Sequence, residues 1–167
     1  MTRHREPLIP PDAVAWLSGL AALAALCMAW IAQFGFGLAP CQLCYWQRYG
    51  YWVAIALAIA ASFAGRESGA RRALVWALSA SFLGVAAIAL FHAGIEYRWW
   101  QGFTACTASL GQAQSAEDFL TAIENAPIVR CDEPAFVLFG LSMAGYNFLY
   151  ALMLAAFSAW GAMRTRP

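Results

Sequence analysis

The amino-acid sequence predicts an all-α membrane protein, a bundle of four transmembrane helices, and three observations carry that expectation. Hydrophobic residues fill 62% of the 167 positions and charged residues only 11%, against the charged share of about a quarter in a soluble domain. Four uncharged stretches, near 13–34, 49–65, 73–91 and 135–163, approach the roughly 20 apolar residues that cross a bilayer core. All ten basic residues are arginines, and they stand at the edges of the apolar stretches, where they report topology. A net charge of +1 offers none of the basic surface that nucleic acid requires.

Each element follows in chain order. The first span, about 13–34, has no small-residue cleavage site after it and reads as a retained signal anchor. The second reaches bilayer length only by running back through Arg48 to Cys44, which gives a span of about 44–65. The third is expected near 73–92 and the fourth near 135–162, with Pro134 in a first turn where its missing N–H is no loss. Ser79, Gly84, Ser142 and Gly145 are small residues of the kind that let helices approach. Arg3, Arg5, Arg66, Arg71, Arg72, Arg164 and Arg166 all fall on one side of these spans. The positive-inside bias makes that side, and both termini, cytoplasmic. A short link, 35–43, and a long segment, 93–134, then lie outside. Within the long segment Ser115 and Asp118 resemble a helix start, and Phe119, Leu120 and Ile123 form an apolar stripe. This short surface helix can rest on lipid or on protein, since three residues do not distinguish the two.

The topology gathers Cys41, Cys44, Cys106 and Cys131 on the outer side and leaves Cys27 in mid-span, where an inert packing role is expected. In an oxidising compartment, Cys41-Gln-Leu-Cys44 closes a small ring suited to thiol exchange. Cys106 and Cys131 share one loop, so a disulfide between them is sterically possible. Arg48 follows Cys44 at i+4, on the same helix face. A guanidinium there, together with the positive end of the helix, would stabilise a Cys44 thiolate. Spacing alone is equally consistent with Arg48 reaching out to phosphate headgroups. His92 closes the third span on the same outer side, with Glu96 one turn on. Cys44, Arg48 and His92 are therefore candidates to converge on one pocket, where the two basic side chains could donate to the carbonyl oxygens of a quinone. Asn147 is expected to hydrogen-bond a neighbouring helix, and Tyr45, Trp46, Tyr49, Tyr51, Trp52, Trp99 and Trp100 read first as an interfacial belt.

Three motifs in this order resemble the DsbB family of disulfide bond formation proteins: Pro40-Cys-Gln-Leu-Cys-Tyr-Trp-Gln-Arg48, His92-Ala-Gly-Ile-Glu96 running on to Cys106, and Cys131-Asp-Glu followed by Phe139 to Asn147. Phe103, Phe136 and Tyr146 depart from the residues common there but keep apolar character. The resemblance implies a multi-pass protein of the bacterial inner (cytoplasmic) membrane whose four redox cysteines, Cys41, Cys44, Cys106 and Cys131, face the periplasm. It implies a quinone cofactor, ubiquinone or menaquinone, held by Cys44, Arg48 and His92, and a periplasmic thioredoxin-like partner of the DsbA type. No resident metal is expected.

Two other classes compete. The four outer cysteines could hold zinc, although one close pair and two distant cysteines are a weak zinc pattern. The chain could also be a tetraspan scaffold stapled by ordinary disulfides, which would leave Arg48 and His92 without a purpose.

Overall fold

The computed structural model describes residues 11–65, 68–102, 115, 117, 120 and 129–164. Cys106, Phe103 and most of the expected surface helix lie outside the described residues.

Four long helices make up most of the described chain. Helix α1, Pro11–Trp30, starts on a proline, as a first turn permits, and runs into one π turn, Ile31–Gly35. Helix α2, Gln42–Phe63, begins at Cys41, whose extended backbone and sulfur form the N-cap. Helix α3, Gly69–Glu96, is capped by Ser68, which accepts the Arg71 N–H. It extends four residues beyond the expected third span at each end. Helix α4, Met143–Arg164, closes the chain. The runs Ala13–Gly35, Gly69–Glu96 and Met143–Arg164 are each long and apolar enough to cross a membrane. Helix α2 has 22 residues, about 33 Å at 1.5 Å per residue, but carries Gln42, Gln47 and Arg48 in its first two turns.

The helices form a ring in which α1 packs on α2 and α4, and α3 packs on α2 and α4. The interior is built on small side chains, Ala22, Ala54, Ala58, Ala86, Ala151 and Ala155, with Leu26, Tyr51, Leu78, Phe82, Val85 and Leu154 filling the gaps. Small residues bring backbones close, which matters where lipid gives no hydrophobic drive between helices. Large apolar side chains such as Trp16, Leu20, Met28, Leu83, Leu149 and Met153 point outward instead. Exposed apolar surface on every helix is what a protein solvated by lipid presents. Interior serines are paired across helices: the Ser18 and Ser158 hydroxyls meet at 3.0 Å, and the Ser79 hydroxyl donates to the Ala155 carbonyl at 2.8 Å.

The fourth helix begins later than the sequence suggests. Residues Val137–Leu138 (β1) and Leu141–Ser142 (β2) form a two-stranded antiparallel hairpin, with Val137 opposite Ser142 and Leu138 opposite Leu141. Phe139 and Gly140 take positive φ angles of 49° and 78°, as a tight two-residue hairpin turn demands. The Tyr97 hydroxyl donates to the Gly140 carbonyl at 3.0 Å and accepts the Ser142 N–H at 2.9 Å, while the Tyr146 hydroxyl donates to Leu138 O. The Ser142 hydroxyl then accepts the Gly145 N–H at 3.2 Å, a capping bond that starts α4 there.

A Cβ added at Gly161 of α4 would lie 2.5–2.9 Å from three side-chain atoms of Val14 on α1. Valine has little rotamer freedom to move aside in a helix. Gly161→Ala is therefore expected to destabilise the protein by about 1–3 kcal/mol, read as a lower midpoint of thermal unfolding in detergent. An unchanged midpoint would contradict this α1–α4 contact.

Candidate active site

The cysteines meet at the end of the bundle where α2 begins and α3 finishes. Cys41 Sγ accepts the Cys44 backbone N–H at 3.4 Å, and the two sulfurs lie 3.2 Å apart. That separation is too long for a disulfide bond of about 2.05 Å, and little motion would close it. Cys131 comes from the distant end of the outer segment. It is fully buried in a cluster with Cys41, Leu43 and Ile95, and its thiol hydrogen-bonds Cys41. The chain around it is held by Arg130, whose Nε and Nη2 donate to the two carboxylate oxygens of Asp132 at 2.9 and 2.6 Å. This bidentate pair holds the Asp132 carboxyl below the usual carboxylate range.

Cys41 is the thiol that the surroundings favour as a thiolate. The hydrogen bond from Cys131 does most, followed by that from Cys44; burial opposes them and His92 adds to them, so the thiol is held well below its ordinary value. The location explains the direction, because a helix N-cap offers backbone N–H groups and a positive field to a sulfur anion.

His92 is buried beneath this pair. Its Nε2 lies 3.5 Å from Cys41 Sγ and 3.6 Å from Glu96 Oε1, and it also hydrogen-bonds the Cys131 backbone. Its orientation is set by a polar chain through three helices. The Tyr51 hydroxyl donates to Asn147 Oδ1 at 2.6 Å, Asn147 Nδ2 donates to Gln47 Oε1 at 2.6 Å, and Gln47 Nε2 meets His92 Nδ1 at 3.1 Å. Glu96, its side chain also buried, hydrogen-bonds Ser142, while its Oε2 has no hydrogen-bond partner among the described residues.

The structure thus brings Cys41, Cys44, Cys131 and His92 together. Arg48 sits differently from its expected place beside Cys44 and His92. Its guanidinium turns toward α1, donating to Gln33 Oε1 at 2.6 Å and to the Ala29 carbonyl at 3.2 Å, and lies 5.5 Å from the centre of the Tyr45 ring. Gln33 belongs to the π turn, a local break in helix geometry of the kind often found at functional sites. Cys106 lies outside the described residues and Cys27 is on the exposed surface of α1. Sequence reasoning passed over Gln47 and Gln33, read Tyr51 first as an interfacial ring, and gave Asn147 an interhelical hydrogen bond, which it makes to α2, without linking it to the site. The available signal was an uncharged polar group inside an apolar span, which must find a partner there.

A helical bundle with an apolar outer surface and three free thiols packed beside a histidine at one end has the parts of a membrane thiol–disulfide protein. The comparisons with known proteins narrow that class. The family model for Disulfide bond formation protein DsbB matches residues 11–161, so the chain belongs to the DsbB family, whose members are disulfide oxidoreductases. The Disulfide bond formation protein B of Acidovorax sp. (strain JS42) is 33% identical over 154 residues, 81% of each chain. An uncharacterized protein of Rickettsia prowazekii (strain Madrid E) is 27% identical over 135 residues, 80% of this chain and 77% of that protein. No solved structure matches the chain.

The contact between Cys41 and Cys131 generates a direct expectation. In a Cys44→Ala, Cys106→Ala double variant, mild oxidation should link Cys41 to Cys131 in most molecules, as read by peptide mapping without reductant. A product dominated by dimers or by unlinked thiols would contradict the placement of Cys131.

Proposed function

We propose that this protein is a membrane thiol oxidase that reoxidises a periplasmic thioredoxin-like disulfide donor of the DsbA type and delivers the electrons to membrane quinone. The observation that carries the reading is the hydrogen bond between the Cys131 and Cys41 thiols, because electrons can pass from loop to helix only where those two sulfurs can touch. In this reading all four long helices, α2 included, cross the bacterial inner membrane. Both termini are cytoplasmic, as the arginine bias favours, and the cysteine end is periplasmic.

The relay runs through four sulfurs. A thiolate of the reduced partner attacks Cys106 of a Cys106–Cys131 disulfide, forming a mixed disulfide and releasing the Cys131 thiolate. Cys131 attacks Cys41 of the Cys41–Cys44 disulfide, and Cys44 leaves as a thiolate. The partner's second thiol then attacks the mixed disulfide, so the partner departs oxidised and Cys106 is freed. Cys106 attacks Cys131 in turn, restoring the loop disulfide and leaving Cys41 and Cys44 both reduced. The N-cap position suits Cys41 to leave in that last step, since a stabilised thiolate is the better leaving group.

A quinone, ubiquinone or menaquinone, supplies a two-electron, two-proton acceptor when bound, and a donor as oxidising as about −120 mV needs one of that strength. The residues present fit it at the α1–α2 face. Arg48 is a half-buried cation on a surface that also carries the exposed rings of Tyr45, Tyr49 and Trp52, with Trp30 of α1 against Trp52. Arg48 would offset negative charge on a carbonyl oxygen there. Cys44, partly buried one turn away, would pass the electrons on. His92 stands on the other sulfur, where it can take and return the Cys41 proton while Gln47 holds the ring.

The test mixes purified protein, quinone and a reduced thioredoxin-like partner and follows quinone absorbance. Wild type should reduce quinone and Cys44→Ala should not; turnover by Cys44→Ala, or none by wild type, sinks the relay. Arg48→Ala should slow quinone reduction on the order of a hundredfold while the mixed disulfide with the partner still forms. Equal loss of both steps would argue against the place given to Arg48.

A further inference from the structure

We infer that the fully reduced site is also a zinc site, in which Cys41, Cys44, Cys131 and His92 close around the ion and hold the protein out of turnover. The site rests on where these four side chains lie; only its effect on turnover rests on the relay proposed above. Cys41 Sγ, Cys44 Sγ and the imidazole all present a ligand atom within 4.8 Å of one another, and the third thiol hydrogen-bonds Cys41. Three sulfurs and one imidazole form a set that zinc takes in tetrahedral geometry.

The distances are close to those a bound ion needs. Zinc bonds of about 2.3 Å to sulfur and 2.05 Å to nitrogen, opened to the tetrahedral angle, place S and N about 3.5 Å apart and two sulfurs about 3.8 Å apart. Cys41 Sγ and His92 Nε2 already stand at 3.5 Å, and the Cys41 and Cys44 sulfurs stand at 3.2 Å. Cys44 must therefore move out by roughly half an ångström, and Cys131 must swing from Cys41 to the fourth corner.

The imidazole must offer a lone pair at Nε2, and the polar chain behind it permits this. In the arrangement described above, Gln47 Nε2 donates to Nδ1 and leaves a hydrogen on Nε2, facing Cys41. Turning over the Gln47 and Asn147 amides reverses every bond without moving a helix. Nδ1–H then donates to Gln47 Oε1, Gln47 Nε2 to Asn147 Oδ1, and Asn147 Nδ2 to the Tyr51 hydroxyl oxygen. A carbonyl on the distal ring N–H is the outer contact that zinc-bound histidines use.

Charge favours the ion as well. Three thiolates leave the filled site at one net negative charge, and the Arg48 field reaches Cys44 as a countercharge. Binding releases the protons that the thiols still hold. A Cys41–Cys44 disulfide has no thiolate to offer, so the metal and the oxidised state exclude each other.

The test titrates cobalt, a coloured stand-in for zinc, anaerobically into reduced, metal-free protein in detergent whose thiols have been counted. A near-ultraviolet thiolate charge-transfer band and tetrahedral visible bands should saturate at one equivalent, vanish when zinc is added, and be absent from oxidised protein. Cys131→Ser should lower the charge-transfer intensity by roughly a third, and Gln47→Leu should weaken binding by about tenfold or more. No charge-transfer band in the reduced wild type overturns the site. So does binding that Cys131→Ser, Gln47→Leu and His92→Phe all leave unchanged, which would reduce it to an ordinary dithiol. The oxidised and reduced wild-type comparison stands even if a variant fails to fold. Quinone reduction measured with a chelator present tests the relay separately, and its failure leaves the cobalt result standing.

Discussion

The Asn147 to Gln47 hydrogen bond, 2.6 Å across the interior of the bundle, joins α4 to α2 and through His92 reaches α3. In lipid a buried amide has no water to fall back on, so each group in the chain from Tyr51 to His92 must find its partner within the protein. The energetic consequence is register. A small rotation or slide of any of the three helices would leave at least one buried polar group unpaired, at a cost of about 1–3 kcal/mol. The alanine-rich interior cannot enforce register so sharply, since small apolar surfaces slide past one another at little cost. The polar chain therefore sets where His92 stands, and His92 in turn stands on Cys41.

From that fixed point the two sides of the Cys41–Cys44 pair acquire different surroundings. Cys41 is enclosed by Cys131, His92 and the N-terminal amides of α2, all of which favour a sulfur anion. Cys44 lies on the more open side, one turn from an arginine directed to α1. A pair whose sulfurs were equivalent could exchange thiols but would have no preferred direction. In the proposed relay this difference would separate loop chemistry from lipid-side chemistry by one helical turn.

Much of this was legible in the chain. Composition and arginine placement specified a helical membrane protein, and the four helices begin and end within a few residues of their expected bounds, except at the start of α4. The hairpin at 137–142 escaped notice because Phe139 is an unusual residue for a positive φ, and because the tyrosine that secures the turn comes from 43 positions earlier. Local patterning carries no information about such a partner. Arg48 illustrates the same limit: its i+4 spacing places it on the Cys44 face, but its guanidinium donates instead to Gln33 of the π turn and to the Ala29 carbonyl of α1.

The sequence by itself determined the class of protein, the helices and the identity of the thiols, because hydropathy, charge bias and Cys-x-x-Cys spacing are local properties. Only the tertiary structure decided which thiol is the stabilised one, that Cys131 reaches Cys41, and that Gln47 and Asn147 govern the histidine between them. Those outcomes depend on the rotation of each helix about its axis, and rotation is settled by which buried polar groups can pair, a property of the assembled bundle and of no segment alone.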